Sequence, residues 1–262
     1  MSIYEIGLIG GGNMGAALLE GMIASGSFRA DGIAVVERID TRRAELLDAF
    51  PGVTVVAEVP ACAAVVIAVK PDGAADATRS AVAMGARRIL SIAAGVTTAT
   101  LDAAAGGTVA VVRAMPNTPA LVGLGASAIA GGAHATVADL DWAEVILGSV
   151  GIVERLSEAQ LDAFTGVAGS GPAYVFAFAE ALIAAAISEG IEPATAERIV
   201  AQLLLGASTL LDRDRDPAQL RRNVTSPGGT TAAGLEQLDA LDLGGIVATA
   251  VAAATRRSNE LG

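Results

Sequence analysis

Through the first two-thirds of the chain, short β-branched apolar runs recur between stretches of helical spacing, the pattern of βαβ units feeding a parallel sheet. The runs Ile3–Ile9, Ile33–Val36, Val53–Val56, Val65–Val69, Ile89–Ile92 and Val109–Val112 predict six strands. Two later pieces, Ala126–Ala130 and Gly151–Glu154, are expected to extend the sheet around a helix at Val137–Leu147. From Ser157 the β signal stops. Helices are predicted over Glu158–Thr165, Pro172–Glu189, Pro193–Leu211, Pro217–Arg222, Thr230–Leu238 and Gly245–Leu261, punctuated by Gly and Pro. The fold class is therefore α/β: a Rossmann-type parallel-sheet domain over residues 1–156, then an all-helical domain over 157–262.

The helices Tyr174–Ile187 and Ile199–Leu211 are apolar round most of their circumference. A helix without a polar face needs partners on every side, and so short a domain offers few. A homodimer built through the helical half is expected. The chain is 53% hydrophobic with mean hydropathy +0.56, which raises the question of a membrane. The strongest candidate, Pro172–Ile187, carries Glu180 in mid-run and falls short of the ~20 residues a span needs. It reads as a buried helix of a soluble protein. The opening Met1-Ser2-Ile3-Tyr4-Glu5 has no basic segment before its apolar run and does not read as a signal peptide.

Charge and rare residues narrow the chemistry. Lys+Arg 17 against Asp+Glu 28 gives a net charge of −11, which repels nucleic acid and anionic lipid. The single cysteine, Cys62, allows no disulfide framework and fits a reducing cytoplasm. With one histidine, His134, there is little material for a metal centre, and none is expected.

Gly10-Gly11-Gly12-Asn13-Met14-Gly15 is a G-x-G-x-x-G string directly after the first strand, opening a helix predicted over Ala16–Ala24. In that setting glycines allow a tight turn and close approach of a pyrophosphate, whose charge meets the N–H groups of the helix start. At the end of the second strand, Glu37 suits a ribose 2′-hydroxyl and NAD, whereas Arg38, with Arg42 and Arg43 behind it, suits the 2′-phosphate of NADP. The two signals conflict. Lys70, the only lysine, stands in Ala68-Val69-Lys70-Pro71 where the fourth strand is expected to end, at the ligand edge of a parallel sheet. The small residues around Ala94 admit a nicotinamide ring. In Arg113-Ala114-Met115-Pro116-Asn117-Thr118-Pro119 two prolines stiffen a loop that presents Asn117. In the helical half, Ser226-Pro227-Gly228-Gly229-Thr230-Thr231 gathers hydroxyls and free N–H groups at a helix start, a site for a small carboxylate.

Taken together with Ser91-Ile92-Ala93-Ala94-Gly95-Val96 and Gly169-Ser170-Gly171-Pro172-Ala173-Tyr174, these strings resemble the pyrroline-5-carboxylate reductase family nearly end to end. The resemblance implies a Rossmann domain joined to a helical domain that interlocks in a dimer, with dimers assembling into rings. It implies reduction of the C=N bond of 1-pyrroline-5-carboxylate to L-proline, with NADP as cofactor and NAD as the alternative. The family's cofactor contacts then fall on Gly10, Gly12, Asn13, Met14, Gly15, Arg38, Ala68, Val69, Lys70, Pro71, Ala94 and Asn117. The substrate carboxylate falls to Ser226, Gly229, Thr230 and Thr231 with Asn223 beside them, and Thr231 is the hydroxyl directed at the ring nitrogen. Ala168 and Glu37 depart from the family's usual residues. A β-hydroxyacid dehydrogenase shares the two-domain plan but uses a lysine in the helical half, where this chain has none. A nicotinamide-binding sensor without turnover is the alternative from another class.

Overall fold

The computed structural model describes residues 3–261. Eight strands form one sheet in the order β3-β2-β1-β4-β5-β6-β7-β8. They are β1 (Tyr4–Ile9), β2 (Ile33–Val36), β3 (Thr54–Val56), β4 (Cys62–Ile67), β5 (Arg88–Ser91), β6 (Ala110–Met115), β7 (Gly125–Gly131) and β8 (Gly151–Arg155). The first six are parallel in the doubly wound order, with a crevice where the chain reverses direction beside β1 and β4. The crossovers include α1 (Asn13–Ala24), α2 (Asp40–Ala49), α3 (Pro71–Ala83) and α4 (Thr98–Ala104).

The sheet is not parallel throughout, as the sequence pattern suggested. β7 runs antiparallel to β6, because the connection between them is a short loop with one 3-10 turn, Thr118–Val122, and no crossover helix. α5 (Val137–Gly148) then returns the chain to β8, parallel to β7. β4 also differs from expectation: it starts at Cys62 and ends at Ile67, so Ala68 and Val69 lie beyond the ladder.

Alternation along the strands sends side chains to two cores. Ile6, Leu8, Val35 and Val66 meet Leu18, Leu19 and Met22 of α1 and Ile146 and Leu147 of α5 on one face. Ile9, Val65, Ile67 and Ile89 meet Ala74 and Ala81 of α3 and Leu101 of α4 on the other. Each fully buried leucine or isoleucine contributes about 1.5–3 kcal/mol. The Cys62 thiol sits in the second core, where burial pushes its pKa up to about 11, so it is held protonated.

The helical part comprises α6 (Glu158–Phe164), a π-helical turn over Thr165–Gly169, α7 (Gly171–Ser188), α8 (Pro193–Asp214), α9 (Pro217–Asn223), α10 (Thr230–Ala240) and α11 (Leu243–Leu261). The chain divides into two compact units, Met1–Ser170 with Ala252–Gly262, and Gly171–Val251. The expected burial of the Pro172–Ile187 helix is not met within this chain: α7 has no buried residue. The helical run Glu158–Ser188 is the one continuous helix among the described residues whose length and hydropathy match a membrane span, and α10 with α11 matches only if that bent pair is taken as one span. α8 continues three residues past Leu211 and stops at Arg215, whose φ of 53° is a left-handed cap.

Candidate active site

The first unit carries a cleft of about 1000 Å³ at the carboxyl ends of β1, β2 and β4. Its floor is the glycine turn. Gly10 has φ 109°, its N–H donates to the Val36 carbonyl at 2.9 Å, and a Cβ there would run into the Ala68 carbonyl. A Cβ on Gly15 would likewise strike the Gly10 carbonyl, so α1 can approach the turn only with glycine at both places. Around Gly12 there is open space, and Gly12 is the N-cap of α1 with no side chain to satisfy the first N–H groups. The helix opens at Asn13, three residues ahead of expectation. A cradle left open by glycine at a positive helix end suits a pyrophosphate, so the residues present fit a dinucleotide.

Of the residues expected at the cofactor, Gly10, Gly12, Arg38, Ala68, Val69 and Lys70 line the cleft. Lys70 is exposed at the N-cap of α3. Asn13, Met14 and Gly15 do not line its wall; Met14 packs against the first core, and all three belong to the first turn of α1. Pro71 opens α3, and Ala94 lies in the turn after β5. Asn117 is not presented to a ligand as expected. Its carbonyl oxygen accepts from the Ala126 N–H at 2.8 Å and its amide donates to the Ala168 carbonyl at 3.0 Å, so both ends tie the loop to neighbouring backbone.

The sequence reading missed the far wall of the cleft. Ala57, Glu58 and Val59 after β3 face it, as do Gly73, Ala77 and Ser80 along α3 and Met84 at its C-cap. The signal was available: 73, 77, 80 and 84 follow the i, i+4, i+7, i+11 spacing of one helix face, and three of the four are small.

An ionic cluster around the buried Arg113 ties β6 to α4 and α6. Arg113, only 4% exposed, donates to Glu158 Oε1 at 3.1 Å and lies 3.6 Å from Asp162. Glu158 also accepts from the Thr98 N–H at 2.6 Å and from the Thr98 hydroxyl. The Ser258 hydroxyl donates to Asp162 at 2.6 Å. Burial pushes the Glu158 carboxyl up, but the bonds from Thr98 and Arg113 outweigh it and hold the group below its ordinary value.

In the second unit, Gly229 is the N-cap of α10 in extended conformation, and its N–H donates to the Ser226 carbonyl at 3.0 Å. Thr230 and Thr231 occupy the first turn, both exposed, and no side chain caps the helix. Ser226 thus shares one helix start with Gly229, Thr230 and Thr231. Asn223, at the end of α9, accepts from the Gln219 amide at 2.6 Å.

Residues 158–261 match the family profile described as pyrroline-5-carboxylate reductase dimerisation, and residues 5–95 match one described as NADP oxidoreductase, coenzyme F420-dependent. The chain is 40% identical to a pyrroline-5-carboxylate reductase of Pseudomonas aeruginosa, across 100% of this chain and 98% of the relative. It is 39% identical to one of Synechocystis, across 100% and 99%. Among solved structures, a pyrroline-5-carboxylate reductase from Coxiella burnetii superposes with a TM-score of 0.92 at 32% identity, covering 100% of this chain and 99% of that one. A pyrroline carboxylate reductase from Plasmodium falciparum with NADP bound superposes with a TM-score of 0.84 at 28% identity, over 100% and 99%.

Proposed function

The chain belongs to the pyrroline-5-carboxylate reductase family, and from that premise we propose that it reduces the C=N bond of 1-pyrroline-5-carboxylate to L-proline in proline biosynthesis, with NADP as cofactor and NAD as the alternative. The observation that carries this reading is likeness over the whole chain, both units included, at 40% identity. The open glycine cradle of the first unit supports it independently.

The nicotinamide supplies a hydride when bound. This chain's residues bind and orient. Gly10, Gly12 and the opening turn of α1 receive the pyrophosphate, while Arg38, Ala68, Val69 and Lys70 line its surroundings. At the start of α10, the free N–H groups and Ser226 take the substrate carboxylate, and the Thr231 hydroxyl holds the ring nitrogen. A protonated cyclic imine is already an electrophile, so alignment does most of what is needed and no histidine is used.

The exposed apolar helices and the match to a dimerisation profile support a homodimer formed through the second half of the chain. We further propose that dimers join into a ring, and that the protein is cytoplasmic and free of membranes; its net charge of −11 opposes attraction to anionic lipid. The test is loss of reduced-nicotinamide absorbance when 1-pyrroline-5-carboxylate is added to the purified protein with NADPH or NADH. Proline must appear in equal amount. No oxidation with either cofactor would overturn the reading.

A further inference from the structure

Glu37 and the three arginines that follow it are unequal in the structure. The two carboxylate oxygens of Glu37 are both in use: Oε2 accepts from the Gly11 N–H at 3.1 Å and Oε1 from the Ile39 N–H at 2.9 Å. The other side of the same residue, the Gly11 carbonyl, accepts from Arg42 Nε at 2.7 Å. Gly11 is therefore gripped at its N–H by an acid and at its carbonyl by a base, between the two loop glycines that meet the pyrophosphate. The grip is close: a Cβ on Gly11 would run into Leu46 Cδ1 and stand 3.3 Å from Glu37 Oε2.

Arg42 is further occupied by Glu45 at 2.7 Å. Arg43 donates to the carbonyls of Glu37 and Arg38 at 3.0 and 2.9 Å and pairs with Asp40 at 2.7 Å. Among the described residues, only the Arg38 side chain of this group has no hydrogen bond or ion pair, and it is exposed on the cleft wall beside Glu37.

We propose that Glu37 and Arg42 form a clamp that sets the glycine turn before cofactor binding, so that Glu37 does not compete with Arg38 at the adenosine 2′ position. This rests on the reading that the cleft holds a nicotinamide dinucleotide. An acid at the end of the second strand usually selects NAD by accepting from the ribose hydroxyl. Here that acid is turned onto the backbone, where its charge is met by two N–H dipoles, and it serves as a positioning residue for either cofactor. The conflict between Glu37 and Arg38 in the sequence dissolves, because the two act on different parts of the ligand. A free guanidinium over a phosphate forms charge-assisted hydrogen bonds that a hydroxyl cannot equal.

The test is direct titration of NADPH and of NADH into the purified protein, without imine, followed by nicotinamide fluorescence. Glu37→Gln and Arg42→Ala should weaken both cofactors by the same factor, about 3- to 10-fold for one lost backbone bond, leaving the ratio of the two Kd values within about twofold of wild type. Arg38→Ala should weaken NADPH by about 10- to 100-fold and NADH by less than about twofold. Glu37→Gln preserves side-chain shape, and a melting curve for each variant shows that it is folded. A Glu37→Gln ratio moving several-fold toward NADPH would put the carboxylate at the 2′ position and overturn the clamp. So would unchanged binding of both cofactors in the Glu37 and Arg42 variants. Equal losses of both cofactors in Arg38→Ala would remove Arg38 as the discriminator. Wild-type protein that binds neither cofactor would instead sink the functional reading itself, so the two failures are distinguishable.

Discussion

Leu18 and Leu19 of α1 are fully buried, whereas Phe176 on α7 and Leu205 on α8 stand 64% and 59% exposed. The contrast extends across each unit: the sheet unit closes two cores within one chain, while among the described residues of Gly171–Val251 only Ala196 and Val200 are buried hydrophobics. The two units are similarly rich in apolar residues for their size. Strands stacked between helix layers hide both of their faces, whereas α7 and α8 pack on each other and leave much of their apolar surface open. Hydrophobicity alone therefore does not say where a core closes; the architecture around it does.

The largest effect is expected from placing charge on the unpartnered face. Phe176→Glu removes about 1.5–3 kcal/mol of burial from each copy in a two-fold dimer, weakening association by on the order of 10²- to 10⁴-fold. Light scattering should show monomers at micromolar concentration, and activity should fall with the dimer. Leu18→Ala tests the other side: unfolding of the sheet unit should become easier by about 2–5 kcal/mol in a denaturant titration, with the dimer unchanged. Thr231→Val comes next. It preserves shape while removing the hydroxyl proposed to hold the imine nitrogen, so kcat/KM should drop by about 10- to 150-fold with little change in melting temperature or NAD(P)H affinity. Lost stability with unimpaired turnover per folded molecule would make Thr231 a helix-start residue and nothing more.

The smallest effect concerns pH and is read at two carboxylates of the sheet unit. Burial raises the Asp139 carboxyl, but the Thr136 hydroxyl and N–H and the Arg88 guanidinium, 2.6 Å away, outweigh it; Glu158 is held low in the same way. Both groups sit below their unfolded values, so their contribution is complete above the ordinary carboxylate range of about 4 and is lost as pH falls through the folded values. The melting temperature should decline on acidification below about pH 4, and Glu158→Gln should flatten part of that decline.

Much of the sheet was legible because β2 throughout, and β1 and β4 over their last four residues, are buried and carry no charged residue. Where the reading slipped, the residues explain it. Cys62-Ala63-Ala64 carries no β-branched signal, so the pattern starts β4 too late, and Ala68-Val69 mimic strand residues in a loop. Apolar alternation has no direction, so the reversal at β7 showed only in the missing crossover helix. The glycine turn and the Ser226–Thr231 helix start are short local strings and could be read directly. The partners of Arg113, and the Ala168 carbonyl that Asn117 reaches, could not, since Glu158, Asp162 and Ala168 lie more than forty positions away and meet them only through the fold.

The bond from Ser258 to Asp162 bears on how the protein is made. The end of α11 belongs to the sheet unit, although the whole helical unit intervenes in sequence. During synthesis the strands leave the ribosome before the helical unit, and the segment that completes their own unit follows only after it, so the domain that begins folding earliest is finished after the one that begins later. Until then the Asp162 carboxylate, beside Arg113, waits for a hydroxyl that has not yet been translated.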